Sequence, residues 1–265
     1  MMEVLGFVSA VFIGISLGLI GGGGSILTVP VLVYMLGVSP VLATAYSLFV
    51  VGFSSLVGAV KNYRKKQLCV KTAVVFAIPS IVAVYLTRLW LIPTLPDNFA
   101  FLNNMSKDTV IMLFFALIML LAAFAMLKPK KKRKDKSKKV FTTKTYLMII
   151  LEGLLVGTLT GIVGAGGGFL IIPALVLLAN LPMKQAVGTS LFIIAVKSLM
   201  GFLGDLQSGQ EIEWTFLLSF TFLAVLGIFT GTYISKFVSG EKLKKAFGYF
   251  VLAMSVIIIF NELYI

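Results

Sequence analysis

The chain has no histidine and a single cysteine, Cys69. A disulfide framework is excluded, and a Cys/His metal site lacks its usual ligands. Haem, zinc and iron–sulfur chemistry have no ligand set, and histidine acid–base catalysis has no base. We therefore expect no catalytic residues, no metal and no cofactor. The glycine run "GGGGSILT" lacks the Gly-Lys-Ser/Thr ending of a P-loop, so ATP hydrolysis is not expected either. Charge is scarce: 12% of the 265 residues are Asp, Glu, Lys or Arg, against about 25% in soluble domains. The first residues show neither a basic n-region nor a cleavage site, and Met2 to Ile20 reads as mature protein.

What is abundant is apolar. Hydrophobic residues make up 59% of the chain and the mean hydropathy is +1.04. Runs such as Val110 to Leu127 and Lys245 to Phe260 are of spanning or near-spanning length, a crossing needing ~20 residues. The composition reads as an all-α polytopic membrane protein. The net charge of +13 does not indicate nucleic acid, because ten of the 23 basic residues lie between Lys128 and Lys144 and five between Lys61 and Lys71. Short basic loops between apolar spans are what the positive-inside rule produces.

The chain is also duplicated. A constant shift of 143 residues lays Gly18–Val60 on Gly161–Leu203, "GLIGGGGSILTVPVLV" on "GIVGAGGGFLIIPALV" and "ATAYSLF" on "AVGTSLF". Gly21/Gly164, Gly23/Gly166, Gly24/Gly167, Pro30/Pro173, Ser47/Ser190, Phe49/Phe192, Ser55/Ser198 and Gly58/Gly201 are identical pairs. Each half opens with a glycine-interrupted apolar segment (Val4–Leu36; Thr145–Ala179). Three helices follow (about 40–60, 70–92 and 109–127; about 184–204, 214–237 and 244–262). Residues 1–127 and 145–265 form two transmembrane repeats, joined by a basic, solvated linker over 128–144.

Parity separates two topologies. If each glycine-broken segment crosses once, the halves lie parallel and the basic loop 236–245 falls outside. If each folds back as a hairpin, the halves are inverted and loops 61–71, 128–144 and 236–245 with Lys184 are all cytoplasmic, placing 20 of the 23 basic residues inside. The second arrangement is preferred. The expected location is the cell inner (cytoplasmic) membrane, with Glu3, Asp97, Asp108, Asp205, Glu211, Glu213 and Glu262 outside. Inverted repeats on interrupted helices are a recurrent transporter design with the substrate near the midplane. The new helices starting near Ser25 and Gly168 would turn their N–H groups and positive dipole ends toward an anion.

The paired glycine motifs, each followed by "ILTVPVL" or "FLIIPAL", then "SLF" and a downstream glycine, resemble the TauE/SafE sulfite exporter family, as does "GDLQSGQEIEW" in the second half. The resemblance covers both halves apart from the linker. It implies a membrane permease for sulfite, sulfonates or other small sulfur-containing or organic anions.

The candidate substrate-binding residues are Gly22, Gly23, Gly24, Ser25, Ser47, Gly166, Gly167, Gly168, Ser190 and Lys197. For the glycines the competing reading is close helix packing; Pro30 and Pro173 read as structural kinks. Ser25, Thr28, Thr44, Tyr46, Ser47, Thr189, Ser190 and Ser198 offer hydroxyls, which either donate to an oxyanion or bond back to the i−4 carbonyl. Lys197 lies well inside its helix; it either faces substrate or snorkels to an interface. Glu152 either relays protons or lies at the cytoplasmic end of its hairpin arm. Arg88 reads as interfacial.

The resulting expectation is a secondary transporter, an exporter of a small sulfur-containing anion, working by alternating access between two glycine-broken hairpins. An anion channel lined by the same helix starts is the alternative, and an enzyme is not expected. Its partners are a small anionic substrate and the lipid bilayer, not nucleic acid; a homodimer and coupling to protons or another ion stay open. In a Cys69→Ser background, cysteines introduced by Ser208→Cys and Gly240→Cys should label from outside and inside respectively. The reverse pattern would overturn the fold-back topology.

Overall fold

The computed structural model describes residues 2–99, 105–128, 143–177, 179, 181–234, 237 and 240–264. Most of the basic linker (129–142) and part of the loop 236–245 therefore lie outside the described residues. In chain order the elements are α1 (Met2–Ile20), a 3-10 turn Gly22–Leu27, α2 (Thr28–Pro30), a π turn Val31–Met35, α3 (Pro40–Arg64) and α4 (Val70–Leu86). A π turn Thr87–Leu91 and α5 (Ile92–Thr94) continue α4, and strands β1 (Asn98–Phe99) and β2 (Met105–Ser106) form a small antiparallel hairpin. Then come α6 (Lys107–Leu127), α7 (Thr143–Val163), α8 (Gly168–Leu177), α9 (Met183–Gln207), α10 (Trp214–Ile234) and α11 (Gly240–Tyr264). The all-α polytopic fold is as expected. Among the described residues, five helices are long and apolar enough to cross a membrane: 40–64, 70–94, 107–124, 184–207 and 214–234.

Local chemistry sets the helix ends. Pro40 opens α3, where a missing N–H costs nothing. Lys61 and Arg64 occupy its last turn and complement the carbonyl end of the dipole. Ser106 caps α6 by accepting from the Thr109 N–H at 3.2 Å, with Asp108 in the first turn. Along the spans, large apolar side chains such as Phe12, Ile78, Leu121, Leu151 and Phe222 are exposed, as faces turned to lipid are.

The first glycine-broken segment turns back on itself. A Cβ placed on Gly6 would lie 2.4 Å from Leu36, and Ser9 donates to the Met35 sulfur at 3.5 Å. Both ends of the segment thus lie side by side, with Gly21 at the turn. A single crossing would hold them a membrane thickness apart, about 30 Å.

Helices α3 and α9, which occupy the same place in the two halves, run antiparallel. At one end, Cys69 donates its N–H to Thr189 at 3.0 Å, and a Cβ on Gly188 would lie 2.2 Å from the Gln67 carbonyl. At the other end, the Glu213 N–H donates to Tyr46 at 2.8 Å. The basic 61–71 loop and the 205–214 segment therefore sit at opposite ends of the protein.

Two further crossings depend on glycine. Helix α1 packs on α10 through "GISLG" (14–18) and "GIFTG" (227–231). A Cβ on Gly14 would fall 1.9 Å from the Ala224 carbonyl oxygen, and one on Gly227 2.2 Å from that of Val11. Helix α7 packs on α4 in the same manner, with Gly157 against Ser80 and Gly161 against Thr87. In lipid no hydrophobic force draws helices together, so this backbone approach is what holds them. Gly227→Leu should therefore lower thermal stability in detergent by an amount equivalent to about 1–3 kcal/mol. Leu226→Ala, one residue away on an exposed position, should leave the melting temperature nearly unchanged.

Candidate functional site

The two glycine breaks meet at the centre and are built differently. In the first, only Gly21 is left-handed (φ 75°), and Gly22, Gly23 and Gly24 enter the 3-10 turn. In the second, Gly164, Gly166 and Gly167 all have positive φ, at 72°, 59° and 66°. Gly168 then starts α8. The breaks are joined directly, because the Ser25 hydroxyl donates to the Ala165 carbonyl. A Cβ on Gly166 would lie 3.2 Å from that of Ser25.

Their neighbours come in couples. A Cβ on Gly21 would lie 3.1 Å from Val187, and one on Gly164 would lie 2.5 Å from Thr44. The 143-residue shift relates Gly21 to Gly164 and Thr44 to Val187. The same holds for Gly58 against Leu191 and Gly201 against Leu48. Each contact thus recurs with its partners exchanged between the two glycine-bearing segments.

Lys197 is fully buried. Its Nζ donates to Thr160 Oγ1 at 2.6 Å, and Thr160 spends its own proton on the Val156 carbonyl at 2.7 Å. A Cβ on Gly167 would stand 3.0 Å from Nζ. The lysine therefore points into the second break and does not snorkel. No carboxylate pairs with it among the described residues, where Arg88–Asp205 is the ion pair. A lone cation at such depth costs about 3 kcal/mol on insertion scales. Its counterpart Ser54 and the pair Ser55 and Ser198 are buried with no hydrogen-bond partner among the described residues, as are Ser47 and Thr28. All but Thr28 lie on α3 and α9, which pack on each other.

Other hydroxyls have structural work. Ser190 bonds back to the Val187 carbonyl at 2.9 Å, although it lies 3.5 Å from the Cβ position of Gly21. Thr189 accepts from Cys69 and Tyr46 from Glu213. Glu152 sits mid-way along α7, not at its end, with Oε2 buried and unpartnered.

Arg88 departs from expectation. It is completely buried rather than interfacial, carried inward on the π turn after α4. Its Nη1 donates to Thr44 Oγ1 at 2.9 Å and to Asp205 Oδ1 at 3.3 Å. Asp205, expected in an outside loop, lies within α9 and is 1% exposed. Each residue is the other's reason for burial, since a lone charge there would be unstable. An arginine within an apolar span was a usable signal. Thr160 carried none, its counterpart being Leu17.

A family model described as Sulfite exporter TauE/SafE matches residues 6–258. A "Probable membrane transporter protein" of Xylella fastidiosa (strain 9a5c) is 26% identical over 94% of this chain and 92% of its own length. "Probable membrane transporter protein YunE" of Bacillus subtilis is 29% identical over 81% and 83%. A "Probable membrane transporter protein" of Haemophilus influenzae is 26% identical over 92% of each. No solved structure matches the chain.

The second break yields a direct test. Gly167→Ala adds a methyl to a left-handed residue, 2.1 Å from Thr160 Cγ2. It should destabilise the protein by about 1–3 kcal/mol. Adding Thr160→Ser removes that methyl and keeps the hydroxyl, so the pair should regain part of the lost melting temperature. No recovery would place the strain elsewhere.

Proposed function

This chain belongs to the sulfite exporter TauE/SafE family, a multi-pass membrane transporter, and from that premise we propose that it exports a small sulfur-containing anion such as sulfite or an organosulfonate. The observation that carries this reading is Lys197, a buried ammonium with no carboxylate partner among the described residues, facing the left-handed glycines that precede α8. Its positive charge, the opening N–H groups of α8 and the unpartnered hydroxyls of α3 and α9 supply donors to an oxyanion. Glycine at 166 and 167 leaves the backbone open to close approach.

In this reading residues 1–127 and 145–265 are inverted repeats, and substrate sits between their glycine-broken hairpins. The antiparallel run of α3 and α9, the reciprocal contacts of Gly21 and Gly164, and the fold-back at Gly6 and Leu36 support it. The basic loops 61–71, 128–144 and 236–245 face the cytoplasm and the 205–214 segment faces outward. Rocking of one repeat against the other would expose the site alternately to the two sides. An inside-negative potential favours outward movement of an anion by about 2.3 kcal/mol per charge per 100 mV.

Proteoliposomes loaded with sulfite should take up radiolabelled sulfite by counterflow, with saturation. Lys197→Met should lower the exchange rate by about tenfold or more, and Lys197→Arg should keep more of it. Unsaturable conductance without counterflow would replace the carrier with a channel; unchanged exchange in Lys197→Met would remove the lysine from the site.

A further inference from the structure

Arg88 lies outside the Lys197 site. Asp205, its partner, is eight residues beyond Lys197 on α9, about 12 Å along the helix, toward the 205–214 end. The guanidinium is completely buried and bound at one corner only, with Nη1 serving both Asp205 and Thr44. Among the described residues, Nε and Nη2 have no hydrogen-bond partner, and neither has Asp205 Oδ2. A closed arginine–carboxylate pair is typically a two-point fork. This one meets at a single point, with two of three nitrogens unspent where desolvation makes unspent donors costly.

The unspent groups share one edge. The Nε–H and one Nη2–H of a guanidinium point the same way, spaced for two oxygens of one carboxylate, sulfonate or phosphate-like group. The surroundings set that edge in place. Gly204 admits the arginine stem, its Cβ position 3.0 Å from Arg88 Cβ, and Gly161 seats the neighbouring Thr87. Thr44, the hydroxyl acceptor for Nη1, is the residue against which the left-handed Gly164 is packed. The arginine is thus tied to the second glycine break, and a π turn within a helix is a frequent mark of function.

We propose that Arg88 is an oxyanion-binding residue, its Nε–Nη2 edge taking two oxygens of one small oxyanion while Asp205 and Thr44 fix the opposite corner. In the transport reading, on which only the role as cargo site rests, this is a second station between Lys197 and the outer face. It selects anions with two or more equivalent oxygens over single-atom anions, because a halide engages the fork at one point.

The test uses the full chain in lipid nanodiscs, with stabilisation against heat read as sulfite, methanesulfonate, acetate or chloride is added. Wild type should be stabilised by one or more of the three oxyanions and less by chloride. Arg88→Lys keeps the charge and loses the fork, and should require about tenfold more of that oxyanion or beyond. Arg88→Leu/Asp205→Leu removes both charges together, a change buried pairs often tolerate; it should fold and lose the response, and it answers the question if Arg88→Lys does not fold. An unchanged half-maximal concentration in the variants, or no response to any oxyanion in wild type, overturns the proposal. A response to acetate alone that is lost in Arg88→Lys keeps Arg88 and removes the sulfur-anion reading. A sulfite response lost in Lys197→Met but kept in Arg88→Lys does the reverse.

Discussion

Close approach of helix backbones at glycine is the interaction on which this protein depends. Helices surrounded by lipid gain little by hiding apolar surface from one another, so van der Waals contact must supply cohesion. Gly14, Gly18, Gly227 and Gly231 bring α1 and α10 together until no Cβ would fit, and Gly153, Gly157 and Gly161 do so for α7 and α4. These crossings lock the opening helix of each half to the third long helix of the other. The glycine breaks that follow α1 and α7 are joined where Ser25 reaches the Ala165 carbonyl.

Within that frame the second constraint is polar. Irregular backbone survives at membrane depth only where protein or an aqueous cavity surrounds it. The breaks at Gly21 and at Gly164–Gly167 meet this condition by lying against Val187 and Thr44 on α9 and α3. Among the described residues, the buried cations Arg88 and Lys197 are treated differently. Arg88 has a carboxylate at 3.3 Å, whereas Lys197 has a threonine hydroxyl. A buried ammonium on a neutral oxygen is electrostatically incomplete.

Much of this was legible beforehand. The spans were set by apolar length, and the paired breaks by a gapless glycine and proline register. The burial of Lys197 was legible because it lies deep in an apolar helix. Ser190 is conspicuous by its repeat partner Ser47, and its hydroxyl bonds to the Val187 carbonyl of its own helix. Arg88 reads as interfacial from the sequence, yet it is completely buried. The π turn at Thr87–Leu91 and the approach of α9 change where that side chain points.

The sequence by itself determined that the chain is a helical membrane protein carrying two copies of a glycine-interrupted apolar segment. Those properties follow from composition, period and local conformational cost, all of which act along the chain. Only the tertiary structure decided that Asp205 leaves its supposed loop to meet Arg88, that Thr160 receives Lys197, and that the second break takes three left-handed glycines while the first takes one. Those pairings join residues 37 to 117 positions apart. They exist because helices held by glycine contacts bring distant polar groups into a space that water and lipid do not share.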